Sequence, residues 1–201
     1  LCFPLAAFTQ GLSQFESAIE TEANSFRTIA ATILDVIFAL GGDDQVYGNA
    51  GNDILRGGVG HDAMEDWEGR NVFEGGPGDD FIYHEGQAFI AGGTGDDFID
   101  NFGPGAVIAF NIGDGNDTIA SPSSSLTLSL GTGIDAADLS LSEDGDGTLT
   151  LSVGGGDSVH FTRFFGPVVH VKRRFVGRIE AGTLGHQTPN GLLDRLRVFR
   201  I

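Results

Sequence analysis

The sequence has few of the residues that stabilise small extracellular proteins or bind nucleic acids. Its 201 residues include one cysteine, Cys2, so an internal disulfide framework is excluded. Before Thr162 it has 26 acidic residues but only three basic ones (Arg27, Arg56 and Arg70), and its formal net charge is −17. This charge argues against binding to nucleic acids or to an anionic membrane surface. The many carboxylates point instead to bound metal ions as the stabilising element.

Long apolar runs and catalytic motifs are also missing from the sequence. No run approaches the roughly 20 apolar residues that span a bilayer. There is no HExxH zinc motif and no GxSxG nucleophile elbow, and the five histidines are scattered. We therefore expect no enzymatic activity from this chain. The first residues, LCFPLAAF, lack the basic n-region of a signal peptide. Because the chain begins with Leu1 and not with Met, we expect a fragment or a processed piece of a longer protein.

Glycine is abundant and recurs with a period of nine residues. The chain has 32 glycines, well above the average share of about 7%. In rows of nine that start at Ala39, with one shortened row, position four is always glycine, position six is usually aspartate and position eight is always apolar. The position-eight residues are Val46, Leu55, Met64, Phe73, Ile82, Ile90 and Ile99. A flexible Gly/Asp-rich linker is the alternative interpretation, but it would not keep an apolar residue at this position.

The spacing predicts a coil with two turns and two short strands. Six glycine-rich residues can form a tight turn, because glycine tolerates positive φ. The remaining three residues form a minimal strand whose central side chain points inward. Residues 18 apart then stack at roughly 4.8 Å per rung. At that distance bare carboxylates repel each other, whereas a hard divalent cation bound at about 2.3–2.6 Å would hold them together.

The two sides of this coil differ in their acids. The first side consists of the turns that end in Asp44, Asp62, Asp80, Asp97 and Asp117, at intervals of 18, 18, 17 and 20 residues. The second side consists of the turns that end in Asp35, Asp53 and Asn71 and then of the degenerate HEGQA. We expect three or four good metal sites on the first side and at most one or two weak ones on the second.

The repeats resemble the G-G-x-G-x-D-x-U-x nonapeptide of RTX, or haemolysin-type calcium-binding, proteins. Residues 57–65, 75–83 and 92–100 match it, and residues 48–56 match with Asn49 at the second glycine. The resemblance implies a right-handed parallel β-roll, with Ca²⁺ held between successive turns by aspartate carboxylates and glycine carbonyls. The implied ligands are Asp44, Asp62, Asp80, Asp97, Asp117, Asp53, Gly42, Gly58, Gly60, Gly76, Gly78, Gly93, Gly95 and Gly115.

The residues after the repeats alternate between polar and apolar. The stretches 125–130, 139–144, 148–153 and 158–165 are predicted antiparallel strands. The segment 110–165 resembles the β domain that adjoins RTX repeats, but the basic end of the chain lacks the acidic F-A-D-G-T segment usual in that family. The expected all-β organisation is a helical cap over 1–29, a roll over 30–120, an antiparallel segment over 121–166 and a basic tail over 167–201.

Two apolar features have alternative interpretations. Leu5, Phe8, Leu12, Phe15 and Ile19 predict an amphipathic N-terminal helix, which either covers the open end of the roll or binds a partner. Phe81 and Phe98, at position seven of two repeats, are predicted to lie on neighbouring strands and to point away from the core. Either another part of the chain covers them, or they form a platform for a ligand such as a glycan.

The resemblance implies that this is a secreted bacterial protein. It would be exported unfolded through a type I secretion channel and would fold on Ca²⁺ outside the cell. Two alternatives stay open: a non-catalytic part of a larger secreted hydrolase or toxin, and an adhesin or glycan-binding roll.

Overall fold

The computed structural model describes residues 18–20, 34–120, 126–135, 137–144, 147–162, 169–173 and 196–200. All regular structure in these residues is β-strand. Within the same residues, no helix is long and apolar enough to cross a membrane. The strands, in chain order, are β1 Ala18–Glu20, β2 Val36–Gly41, β3 Gln45–Asn49, β4 Ile54–Val59, β5 Ala63–Asp66, β6 Arg70–Pro77, β7 Phe81–His84, β8 Gln87–Thr94, β9 Phe98–Asn101, β10 Val107–Phe110, β11 Asn116–Ala120, β12 Thr127–Leu130, β13 Ser140–Glu143, β14 Leu149–Gly154, β15 Asp157–Thr162, β16 Val169–Arg173 and β17 Leu196–Arg200.

The repeats form a two-sheet parallel solenoid. One sheet has the order β1-β2-β4-β6-β8-β10-β12-β16-β17, and the other has the order β13-β14-β15-β11-β9-β7-β5-β3. Successive strands of the roll alternate between the sheets, and the partners in each sheet are parallel. The register pairs Ile37 with Leu55 and Leu55 with Phe73, which is the predicted 18 residues per coil. The predicted all-β parallel roll is thereby confirmed.

The core of the roll consists of the position-eight side chains. Each points between the two sheets because side chains alternate along a strand. All seven predicted residues, from Val46 to Ile99, are completely buried. Ile108 and Ile119 continue the same column on β10 and β11. Each half-coil thus contributes one large apolar side chain to the core.

The structure corrects one strand assignment after the repeats. The stretch 125–130 was expected to be antiparallel, but β12 pairs in parallel with β10, with Leu128 opposite Ile108. Leu126, Leu128 and Leu130 are buried, so this segment extends the core of the roll by one more strand. The antiparallel segment is the meander β13-β14-β15, and β15 joins it to the roll by pairing in parallel with β11.

Most of the predicted N-terminal helix and much of the basic tail lie outside the described residues. Of residues 1–29, only 18–20 are described, and they form β1, parallel to β2, with Ile19 opposite Ile37. These three residues are therefore extended rather than helical. In the tail, β16 and β17 continue the nine-stranded sheet in parallel.

Candidate metal centre in the turns of the roll

The position-six aspartates of the first side form the predicted ladder. The main-chain N–H of each donates a hydrogen bond to Oδ1 of the aspartate one coil further on. The N···O distances are 2.9 Å from Asp44 to Asp62, 2.8 Å from Asp62 to Asp80, 2.9 Å from Asp80 to Asp97 and 3.1 Å from Asp97 to Asp117. One oxygen of each accepting carboxylate is therefore occupied by the protein itself.

The second oxygen of these carboxylates has a different environment. Oδ2 of Asp62, Asp80 and Asp97 is buried and has no hydrogen-bond donor. The three side chains are only 1–2% exposed. Burying an anionic oxygen without a hydrogen-bond donor costs free energy of folding. Each of these atoms would therefore be stabilised by a proton or by a bound cation.

The space in front of each free oxygen is kept open by a position-one glycine. A Cβ on Gly57, Gly75 or Gly92 would lie less than 3.0 Å from Oδ2 of the aspartate that ends the same turn. At Gly75 it would also lie less than 3.0 Å from the carbonyl oxygen of Gly92 in the next coil. The missing side chain thus leaves a small cradle lined by a carboxylate and a main-chain oxygen. Sequence reasoning missed these three glycines, although they are the first letter of the repeat.

The donor set of the cradles suits a hard cation. Among the described residues, no group of three or more His, Cys, Asp or Glu side chains converges as a metal site would require. An ion in these turns would need main-chain carbonyl oxygens beside the aspartate. Carboxylate and carbonyl oxygens together are the ligands that Ca²⁺ prefers, so the residues present fit calcium.

The glycines expected to contribute carbonyls lie at positions two and four of the turns. Gly58, Gly76 and Gly93 occupy position two, and all three have positive φ. The position-four glycines lie so close to the preceding turn that a Cβ on Gly78 would lie less than 3.0 Å from the carbonyl oxygen of Gly60. Only glycine fits this combination of φ and close approach. The position-four residues expected as ligands are Gly42, Gly60, Gly78, Gly95 and Gly115, and their role as ligands stays a prediction.

Burial raises the pKa of four first-side carboxyl groups, those of Asp62, Asp80, Asp97 and Asp117. Desolvation is the largest cause at each one, and neighbouring carboxylates add to it. The pKa rises to about 7 at Asp80, about 6 at Asp97 and about 8 at Asp117, against an ordinary value of 3.8. The pKa of Asp62 is also raised. Without a cation, the roll therefore disfavours the charged form of these groups.

On the second side, the same ladder of hydrogen bonds is present in the first turns and absent from the later ones. The N–H of Asp35 donates to Oδ1 of Asp53, and the N–H of Asp53 donates to Oδ1 of Asn71, both at 2.8 Å. The next two turns have Ala88 and Ala106 at this position, so they offer no acceptor. Among the predicted ligands, Asp53 thus lies apart from the first-side set.

Position one also differs on the second side. After Gly48, the equivalent residues are Asp66, His84 and Asn101, which pair in register along the sheet and are completely buried. His84 Nδ1 lies 3.2 Å from the carbonyl oxygen of Gly86. Burial lowers the pKa of His84. Side chains thus occupy the region that glycines leave open on the first side, and nothing in the repeat pattern predicted these three residues.

Comparisons with known proteins agree with the repeats. The family described as RTX calcium-binding nonapeptide repeat (4 copies) matches residues 34–64 and 68–88. Among solved structures, the chain is similar to the extracellular lipase LipA from Serratia marcescens, with 16% identity and a TM-score of 0.39. The similarity covers 72% of this chain and 40% of the lipase chain, so this chain spans less than half of that relative. No curated protein matches the sequence. Residues 34–64 and 68–88 are therefore similar to the RTX calcium-binding nonapeptide repeat.

Proposed function

We propose that this chain is a calcium-dependent folding module of an extracellular protein. The observation that carries the proposal is the first-side row of buried Oδ2 atoms, each facing a cradle that a glycine keeps open. Asp44, Asp62, Asp80, Asp97 and Asp117 supply the carboxylates, and turn carbonyls supply the remaining oxygens. Three or four ions bind on this side. Fewer bind on the second side, where the position-six aspartates end at Asp53.

Calcium acts here by removing a penalty for folding. A ladder of buried carboxylates without a counter-charge opposes formation of the roll. The raised pKa values of Asp80, Asp97 and Asp117 show that the charged form of each group is less stable in the folded chain than in water. A cation that binds the folded turns and not the unfolded chain contributes its binding free energy to folding. An ion held by these turns would therefore stabilise the coils that supply its carboxylate and carbonyl ligands.

The same coupling accounts for a role in export. Calcium sites of extracellular modules typically have dissociation constants of roughly 10⁻⁴–10⁻³ M. Such sites are empty in a calcium-poor cytosol and filled outside the cell. The chain then leaves unfolded, as the resemblance to type I secreted proteins implies, and folds after export. In this proposal the chain itself is non-catalytic and supports a larger secreted protein, such as a hydrolase or a toxin.

Circular dichroism tests this function directly. The metal-stripped chain is titrated with Ca²⁺ and separately with Mg²⁺, and the far-ultraviolet signal is followed. We expect a cooperative gain of β signal with Ca²⁺ and little with Mg²⁺, which demands a small octahedral site. A chain that is fully folded in chelator and indifferent to Ca²⁺ would contradict the proposal.

A second candidate function, glycan binding, rests on Phe81 and Phe98. Their rings stack with centroids 5.7 Å apart and an interplanar angle of 6°, and each side chain is 38% exposed. A flat pair of exposed rings of this kind favours a sugar ring as ligand. A glycan array with the calcium-loaded protein tests this candidate, with a Phe81→Thr variant as control. Equal signals from the two proteins would count against it.

A further inference from the structure

Asp66 is a buried carboxylate outside the repeat consensus. It occupies position one of a second-side turn, where the repeat has glycine, and it is completely buried. Oδ1 of Asp66 accepts a hydrogen bond from the N–H of Glu68 at 3.0 Å, whereas Oδ2 is buried without a hydrogen-bond donor. This is the same division of oxygens as in the first-side aspartates.

Oδ2 of Asp66 and Oδ2 of Asp53 both lie next to Gly48, in the space that its missing side chain leaves open. A Cβ on Gly48 would lie less than 3.0 Å from Oδ2 of Asp66 and 3.1 Å from Oδ2 of Asp53. Asp53 is also completely buried, and its Oδ2 likewise has no hydrogen-bond donor. The cradle of Gly48 thus contains two carboxylates from successive turns of the second side, where a first-side cradle contains one.

No basic side chain among the described residues neutralises this pair. Among these residues, Arg56 pairs with Glu74, and His61 lies 3.9 Å from a carboxylate oxygen of Asp79, with which it forms an ion pair only when protonated. Two buried carboxylates within reach of one small space cannot both be charged at low cost unless a cation lies between them; without one, the pair favours holding a proton. Burial accordingly raises the pKa of Asp66 to about 7, with Asp53 as its nearest charged neighbour, and raises that of Asp53.

We propose that Asp53 and Asp66 form a divalent-cation site in the cradle of Gly48, with a composition unlike that of the repeats. The inference rests on the proposed function, since it assigns a further calcium site to the same roll. Two carboxylates, when both are ionised, carry twice the negative charge of the single carboxylate in a first-side cradle. Ligand charge is one of the factors that set Ca²⁺ affinity. This site is therefore the strongest one on the second side.

The following coils of the second side do not repeat the arrangement. His84 and Asn101 take the place of Asp66, and Asn71 and Ala88 take the place of Asp53. The carboxylate pair is thus confined to one place, at the cradle of Gly48.

The only tryptophan of the chain, Trp67, directly follows Asp66, which allows this site to be observed separately. Terbium ion, a luminescent hard cation, replaces Ca²⁺ in oxygen sites and is sensitised by a nearby indole. With excitation at wavelengths that only tryptophan absorbs, the luminescence reports ions bound near Trp67, and the loss expected in Asp66→Asn assigns that signal to the Asp53–Asp66 site. We expect strong tryptophan-sensitised terbium luminescence that Ca²⁺ displaces.

Asp66→Asn removes one charge with little change of shape. We expect it to weaken the tryptophan-sensitised binding about tenfold or more, since one of two carboxylate ligands loses its charge. Asp43→Asn is the matched control. Oδ1 of Asp43 accepts the N–H of His61 at 2.9 Å, as Oδ1 of the natural Asn52 accepts the N–H of Arg70 at 2.9 Å, so this control keeps its contact. Its luminescence titration should match that of the unmodified protein.

Circular dichroism in Ca²⁺ verifies that each variant is folded. If Asp66→Asn does not fold, Asp66→Gly, which restores the consensus residue of the repeat, should show the same loss. An unchanged titration in the folded variant, or no tryptophan-sensitised signal in a protein that folds on Ca²⁺, would overturn the site and leave the proposed function intact. A protein that neither folds on Ca²⁺ nor binds it would instead refute the proposed function itself.

Discussion

The two sides of the roll share a strand period and a core but differ in the chemistry of their turns. On the first side, position one is glycine in three successive turns, from Gly57 to Gly92, and position six is aspartate. On the second side, position one becomes Asp66, His84 and Asn101, while the aspartates at position six end at Asp53. Both sides connect parallel strands, and the β3–β5 pair has one register shift, between Tyr47 and Asn49. The strands therefore tolerate turns of either kind, and position one decides whether a turn has an open cradle.

The largest effect is expected from filling a first-side cradle with Gly75→Ala. The added Cβ would lie less than 3.0 Å from both Oδ2 of Asp80 and the main-chain oxygen of Gly92, and the latter cannot move without displacing a coil. We expect a loss of about 2–4 kcal/mol in the free energy of unfolding of the calcium-loaded protein, measured by urea denaturation, together with fewer bound ions.

Gly41→Ala is the matched control, because a Cβ there would find the carbonyl oxygen of Val59 at an ordinary 3.7 Å. Its free energy of unfolding should change by less than about 1 kcal/mol. If the two variants lost equal stability, the cradle would not be the cause.

The next largest effect is expected from Asp80→Asn, which removes one first-side charge. An asparagine can still accept the N–H of Asp62, as Asn71 accepts that of Asp53 on the second side. The hydrogen-bond ladder therefore survives, and only the cation ligand is weakened. We expect about tenfold weaker calcium binding at the adjoining sites, measured by calorimetric titration. The neighbouring and exposed Asp79→Asn should leave the titration unchanged, and an equal loss there would indicate a general charge effect.

A smaller effect is expected from pH, and it has opposite signs with and without calcium. The pKa values of Asp117, Asp80 and Asp97 in the ion-free roll are raised to about 8, 7 and 6. The ion-free folded chain thus holds protons that the unfolded chain releases near pH 4. The resulting contribution to stability is full below about pH 4 and is lost as the pH rises through about 6 to 8.

In chelator, circular dichroism should therefore show more β signal at about pH 5 than at about pH 8. In the presence of calcium, protons compete with the ion, so the midpoint of the calcium titration should shift to higher concentration at the lower pH. A chelated chain with the same β signal at both values would show that these carboxyl groups do not govern folding.

The smallest effect on stability is expected outside the turns, from Phe81→Thr. Threonine occurs naturally in this column of the outer face, at Thr118 opposite Phe98. The substitution removes one stacked ring pair, worth about 1 kcal/mol, and leaves the turns unchanged. Thermal unfolding in calcium should therefore shift little, and the calcium titration should not change. A large loss of calcium affinity would mean that the outer face and the turns are coupled.

Much of the roll could be predicted because its determinants are local and repeated. The nine-residue period alone predicted a core column from Val46 to Ile99 and a first-side ladder from Asp44 to Asp117, and the structure contains both. Each position recurs in one environment, so a residue type that keeps its place indicates that environment. The parallel pairing of β12 was missed because its alternation fits either direction of pairing.

Asp66, His84 and Asn101 were missed for a related reason. They lie in nonapeptides that depart from the consensus of the repeat. In such nonapeptides, the position of a residue within the repeat does not predict its environment. The sequence by itself determined the half-coil of turn and strand, the inward apolar column and the row of aspartates, because these depend on the spacing of residues along the chain. Only the tertiary structure decided which position-one side chains enter the stack of turns, how Asp53 and Asp66 meet, and that Phe81 and Phe98 stay exposed. Those outcomes depend on neighbours a whole coil away.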